Sequence, residues 1–306
     1  MTQMPSFRSF LGALLGATLL LHSGDLAAQA SRQRVDTTFA FDPTGSVSLS
    51  LVSGEIRVIA GATNEIRIIA TLERGRLETS FSRSRVTIEA RSIANRLGAG
   101  RYEVTVPVGT RVHAGSVSGD ITIRGTKAEV EANTVSGEVV VEEASQVIDI
   151  GSVSGNIDLR SLDGRIDVSS VSAEVRVEDV TGELEATTVS ANIDIRRGRL
   201  RALRTESVSG TLTYDGSFAN DGIYRFNSHS GSLYFALPAN AGAYLELETW
   251  SGNISSDFPL TLQPDGNLGR RARRMQFTIG AGGARISAET FSGNITIRRL
   301  AARPQE

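Results

Sequence analysis

The chain has no cysteine among its 306 residues. Disulfides, thiolate metal centres, thiol nucleophiles and lipid attachment at cysteine are therefore excluded. Lys127 is the only lysine, so positive charge rests almost wholly on arginine, whose planar fork suits pairing with carboxylates. Histidine is scarce too: beyond the N-terminal segment only His113 and His229 occur, too few for a recurring general base. The formal net charge is −2, with acids and arginines interspersed. That removes the basic footprint expected of a nucleic-acid binder or of a protein held on an anionic membrane. Helical periodicity is lacking throughout. Past residue 30 no apolar run is long enough for a membrane-spanning helix.

What is present begins with a targeting pattern. Arg8 supplies a positive start, Phe10 to Leu21 an apolar run, and Ala28-Gln29-Ala30 a small-residue cleavage signal. Residues 1–30 are read as a signal peptide, with the mature chain opening near Ser31. The expected location is the periplasm, the cell envelope or the exterior.

The rest of the chain is organised around a repeated phrase. It reads Ser116-Val117-Ser118-Gly119-Asp120-Ile121, and returns from Thr134, Ser152, Ser170 and Thr188. Gly119, Gly137, Gly155, Ala173 and Ala191 stand 18 positions apart. A fixed period of this length, without heptads, marks a stacked-repeat architecture. Each period divides into two alternating strands, so the expected fold is all-β. It is a single-stranded parallel β-helix, or β-solenoid, with coils of about 18–21 residues, right-handed by expectation. A three-sided hexapeptide helix would need an aliphatic residue at Glu129 and is excluded.

Laying the periods on one another gives interior columns. Ile121, Val139, Ile157, Val175, Ile193 and Leu212 form one; Ile123, Val141, Leu159, Val177, Ile195 and Tyr214 form the next; Val130, Ile148, Ile166 and Leu184 line the opposite strand. Val117 and its equivalents are placed inside as well, with a slip of phase between Thr134 and Val135. On this reading His229, which continues the Val117 column, is a packed or capped core histidine. An outward column, Arg124, Glu142, Arg160, Glu178, Arg196 and Asp215, alternates in sign without exception. One-rung slips would bring like charges together, so the alternation specifies register.

Residues 31–115 are read as irregular opening coils and a cap, with a polar loop between Glu73 and Arg85. Residues 116–300 are the regular coils, interrupted by a loop near 259–274, and 301–306 form a tail. After Arg196 the spacing loosens to 19 and 21, and aromatic residues enter. The last copy, at Ser292-Gly293, lies 41 residues after Ser251-Gly252, and is read as two coils with a longer loop.

The Ser-Gly-Asn/Asp/Glu-Ile phrase at this spacing, together with Gly280 to Ile286 (Gly-Ala-Gly-Gly-Ala-Arg-Ile), resembles the bacterial putative-adhesin family of β-strand-repeat proteins. The resemblance covers residues 45 to 300. It implies an exported β-solenoid like the heads of autotransporter adhesins, and it transfers no catalytic residues.

Three groups of residues could carry chemistry. The serine column Ser118, Ser136, Ser154, Ser172, Ser190, Ser209, Ser230, Ser251 and Ser292 has no recurring base, so it reads as a hydroxyl ladder rather than a row of nucleophiles. The acidic column Glu131, Asp149, Asp167 and Glu185 stacks like charges, to be relieved by solvent or by a cation such as Ca²⁺. Arg270, Arg271, Arg273 and Arg274 form a cluster suited to polyanions. No catalytic residue or cofactor is assigned. The favoured reading is a non-catalytic protein for adhesion, cell-envelope binding or scaffolding, with a cell-surface glycan or envelope component as partner. A polysaccharide lyase or hydrolase, or a self-assembling envelope filament, are the alternatives.

Overall fold

The structure is a computed structural model describing residues 32–93, 96–259, 261–262 and 273–300. The expected signal peptide and tail lie outside the described residues. Every regular element described is a β-strand. The opening section holds β1 (Gln33–Ala40), β2 (Ser46–Leu51), β3 (Gly54–Gly61), β4 (Glu65–Leu72), β5 (Arg76–Phe81), β6 (Arg85–Arg91) and β7 (Gly100–Pro107). The regular coils run through β8 (Arg111–Ser116), β9 (Asp120–Arg124), β10 (Val130–Thr134), β11 (Val139–Glu142), β12 (Ser145–Ser152), β13 (Ile157–Arg160), β14 (Asp163–Ser170), β15 (Val175–Glu178) and β16 (Thr181–Thr188). The long strands β17 (Ile193–Ser207) and β18 (Leu212–Ser228) follow. The remainder comprises β19 (Leu233–Leu237), β20 (Ala243–Thr249), β21 (Ile254–Ser256), β22 (Thr261–Leu262), β23 (Arg273–Ile279), β24 (Ala284–Thr290) and β25 (Ile295–Arg299).

Strands two apart in sequence pair in parallel, so each coil contributes one rung to each of two stacks. In the first stack β8, β10, β12, β14, β16, β17 and β18 follow one another. In the second β9, β11, β13, β15, β17 and β18 do the same. The register is the 18-residue one read from the sequence: Val130 lies against Ile148, and Ile121 against Val139. All three interior columns expected between Ile121 and Tyr214 are buried. β17 and β18 pass through the bend and serve both stacks, with register shifts at Arg196/Gly198 and Leu200/Ala202.

The ends depart from simple winding. β2 and β3, first of the coil-forming strands, sit between β8/β9 and the later β6/β7. β24 and β25, the last, sit between β18/β19 and the earlier β20/β21. The final Ser-Gly copy is therefore inserted one rung inward instead of being added at the end. Antiparallel strands then close each terminus: β1, β4 and β7 with β5 on β6 at one, and β23 on β20 at the other. This meets the need of a stacked array for atypical terminal units. The segment from Glu73 to Arg85, expected as a loop, contains β5. Five of its six residues are exposed or polar, so the alternation that signals a strand is missing.

The repeated phrase now has a mechanical explanation. Its first hydroxyl points inward and accepts the amide three residues on: Ser116 from Gly119 at 2.7 Å, Thr134 from Gly137 at 3.0 Å, Ser152 from Gly155 at 2.9 Å. Its second serine is exposed and donates to the neighbouring coil's valine carbonyl, as Ser118 to Val52, Ser136 to Val117 and Ser154 to Val135. The fourth residue is small because the neighbouring coil runs directly across it. A Cβ on Gly155 would fall 1.7 Å from the Gly137 carbonyl oxygen.

The valine of the phrase overturns the sequence reading. Val117, Val135, Val153, Val171 and Val189 are between 42% and 47% exposed, and His229 is exposed as well. Strand alternation continues unbroken through Thr134, which points in, to Val135, which points out. The phase slip falls one residue later, where Val135 and Ser136 are both exposed. Hydrophobicity alone suggested an inward valine, but the tight corner leaves the hydroxyl, not the valine, on the inside.

In the wider coils the core is aromatic. Tyr214 and Phe218 stack at 5.3 Å, and Phe226 meets Phe235 edge-on at 4.5 Å. The Tyr214 hydroxyl donates to the Ser217 carbonyl at 2.8 Å, and burial holds its ionisation far above the ordinary tyrosine range.

Candidate functional site

The first stack presents an outward face whose columns follow from strand register. One column runs His113, Glu131, Asp149, Asp167, Glu185, Arg204 and Arg225. The acidic stack is thus placed as the sequence predicted, and each of its two ends meets a side-chain partner. His113 Nδ1 lies 2.9 Å from Glu131 Oε2, and Arg204 Nε lies 3.5 Å from Glu185 Oε1. Between them the Asp167 carboxyl is pushed above the usual carboxylate range, first by partial burial and then by Asp149, with Arg165 opposing. Each carboxylate occupies its own rung, about 4.8 Å from the next. Among the described residues no three His, Asp or Glu side chains are grouped to hold a metal ion.

Of the arginine cluster, Arg270 and Arg271 lie outside the described residues. Arg273 and Arg274 open β23, in register with Thr249 and Glu248. The serine column has no nucleophilic setting: among the described residues none of its hydroxyls is bonded to a histidine. His113 is held by Glu131, and His229 stacks on Phe291.

In the sign-alternating column, register pairs Arg124, Glu142, Arg160, Glu178, Arg196 and Asp215 successively. The ion pairs themselves are divided. Arg160 reaches Glu142 at 3.1 Å across the rung, while Arg196 bonds Asp194 on its own strand at 2.6 Å. Exposed pairs of this kind contribute little energy, so the column acts chiefly on register.

The feature that sequence reasoning missed is a continuous exposed apolar column. Hydrogen bonds between neighbouring coils order it as Val52, Val117, Val135, Val153, Val171, Val189, Val208, His229, Phe291 and Trp250. The inserted position of β24 is what places Phe291 between His229 and Trp250. His229 and Phe291 stack at 5.1 Å with rings 5° from parallel, and Trp250 and Phe291 at 6.0 Å and 10°. Beside this end lies a groove of about 560 Å³. The apolar column forms one wall; Glu206, Asn227, Glu289 and Glu248, on successive rungs, line the other. The available signal was plain alternation: counting by twos from Glu131 through Asn133 brings Val135 to the same outward face.

Residues 108–222 match the family described as Toastrack DUF4097. The match lies within the segment over which the chain resembles putative-adhesin proteins, and bears out that resemblance. No curated protein matches the chain. Similar solved structures include a putative lipid binding protein from Parabacteroides distasonis ATCC 8503, 14% identical over 88% of this chain and 97% of that one, with a TM-score of 0.49. A putative adhesin from Bacteroides fragilis NCTC 9343 is 11% identical over 89% and 99% respectively, TM-score 0.42. A putative cell adhesion protein from Clostridium sporogenes ATCC 15579 is 10% identical over 88% and 100%, TM-score 0.28.

Proposed function

We propose that this protein is an exported, non-catalytic β-solenoid that binds a cell-envelope component through the outward face of its first stack. The observation that carries the reading is the apolar column from Val52 to Trp250, ending in three stacked rings beside a groove. Contiguous exposed apolar surface of this extent marks interaction sites on soluble proteins. The columns on either side carry hydroxyls, amides and carboxylates, and among the described residues no nucleophile and base are in contact there, which supports a binding role over a hydrolytic one. Export rests on Arg8, the apolar run Phe10–Leu21 and Ala28-Gln29-Ala30. We also take the coil to be a single-stranded right-handed β-helix, in keeping with the right-handedness of parallel β-crossovers.

Trp250 is the only tryptophan and reports directly on the groove. The mature chain titrated with envelope vesicles and purified surface glycans should show a blue shift of Trp250 emission. A Val208→Asp/Phe291→Asp variant should lose both the shift and co-sedimentation. An unmoved emission with every fraction, or equal co-sedimentation of the variant, refutes the reading. N-terminal sequencing of the exported protein should begin near Ser31.

A further inference from the structure

A second groove lies on the same outward face, further back along β18, β24 and β20, with a volume of about 770 Å³. Its walls include Arg225, Arg285, Tyr244, Glu246, Ser287 and Gln276; Glu246, the acid of the lining, stands against Ser287 and is engaged by an interaction of its own. Register sets Arg225 against Ser287, and Arg285 against Tyr244, so the two arginines are diagonal neighbours.

Their setting differs from that of four other strand arginines. Arg57, Arg176, Arg196 and Arg204 each bond an acid two residues away on the same strand face. Arg225 has Ile223 and Asn227 at those positions, and Arg285 has Gly283 and Ser287. Neither arginine has a hydrogen bond or ion pair among the described residues. Both arginines line the groove with no bonded partner among the described residues, and register also stacks Arg225 against Arg204.

Tyr244 completes the arrangement. It is 52% exposed, yet its ring lies over the Gly282 backbone: a Cβ at Gly282 would fall 2.4 Å from Tyr244 Cζ. Gly280, Gly282 and Gly283 all have positive φ. The Gly280–Ile286 segment singled out in the sequence thus makes the turn that receives the ring and delivers Arg285 to the groove. A ring fixed on one side and open on the other is an apolar platform of the kind that stacks on a flat ligand face. Two guanidinium groups beside it, unpartnered among the described residues, fit an oxyanion, which arginine binds in a fork. Ser287 and Gln276 add hydroxyl and amide groups.

We infer that this groove binds a sugar unit bearing a carboxylate or phosphate, its ring on Tyr244 and its oxyanion between Arg225 and Arg285. The inference does not depend on the apolar column. Isothermal titration of the mature chain with trigalacturonate, glucose 6-phosphate, inorganic phosphate and neutral maltotriose tests it, the first two arms separating carboxylate from phosphate. At least one anionic sugar should bind more tightly than both maltotriose and inorganic phosphate. Arg225→Gln/Arg285→Gln should weaken that binding at least about tenfold, as loss of charge-assisted hydrogen bonds requires. Arg199→Gln, which removes an arginine lining a different groove, should leave it unchanged. Anionic sugars bound no better than maltotriose, a double variant with wild-type affinity, or an equal loss in Arg199→Gln would each overturn the assignment.

Discussion

Replacing Gly155 by alanine puts a methyl group where the preceding coil already runs. The added Cβ would stand 1.7 Å from the Gly137 oxygen and 2.5 Å from its carbonyl carbon. Both partners are backbone, so no side chain can swing aside, and the coils must part by more than 1 Å at that corner. Two hydrogen bonds depend on the present spacing: Ser154 N to Val135 O at 2.8 Å, and Gly155 N to Ser152 Oγ at 2.9 Å. Losing both costs about 1–3 kcal/mol, at about 0.5–1.5 kcal/mol each. The chain supplies its own control, because the equivalent positions 173 and 191 are already alanine and buried. Ala173→Gly removes no clash and should cost no more than about 1 kcal/mol through backbone freedom. Urea unfolding of the mature chain, followed by circular dichroism and by Trp250 fluorescence, measures both. The thermal midpoint should fall by about 2–4 °C for each kcal/mol lost in a chain of this size. If Gly155→Ala loses no more stability than Ala173→Gly, the corner accommodates a methyl group and the steric account of the repeat is wrong.

Val153→Ser should change stability by no more than about 0.5 kcal/mol as a surface substitution, whereas Ile157→Ala should cost about 2–5 kcal/mol as a core deletion; equal costs would return the valine column to the interior. Asp167→Asn should stabilise the protein at neutral pH by about 0.2–1 kcal/mol, the worth of a like-charge contact between facing strands. The sign follows from the raised native pKa: the folded state holds the proton more readily, so ionisation destabilises it, and the penalty disappears as pH falls through the native value. Urea midpoints of the two proteins should therefore converge in acid and, because Asp167 is only half-buried, narrow with added salt.

Much of the architecture was legible from periodicity. An 18-residue spacing of small residues fixes coil length, and stacking identical positions yields both the aliphatic columns and the sign-alternating one. Hydroxyl chemistry was only half legible. Ser118 and its equivalents were readable as a ladder, but the residue two before them, Ser116 or Thr134, is the one that turns inward to cap the corner. Valine misled because strand position outweighs hydrophobicity at a corner where two residues in succession must face out. β5 was hidden because an edge strand exposed on both sides has no alternation to display.

What the sequence by itself determined is local and repetitive: strand after strand in parallel register, a small residue at each tight corner, and like positions stacked at one rung per coil. Each rung touches only its neighbours, so an 18-residue pattern suffices to specify it. Only the tertiary structure decided the order of the ends, where β2/β3 and β24/β25 are inserted one rung inward. That choice depends on which unpaired edge a terminal strand reaches, a contact between residues 39 to 65 positions apart that no period records. The same insertion sets Phe291 between His229 and Trp250 and brings Arg285 beside both Arg225 and Tyr244. The two grooves of this outward face are therefore products of the end topology, built where the repeat gives way.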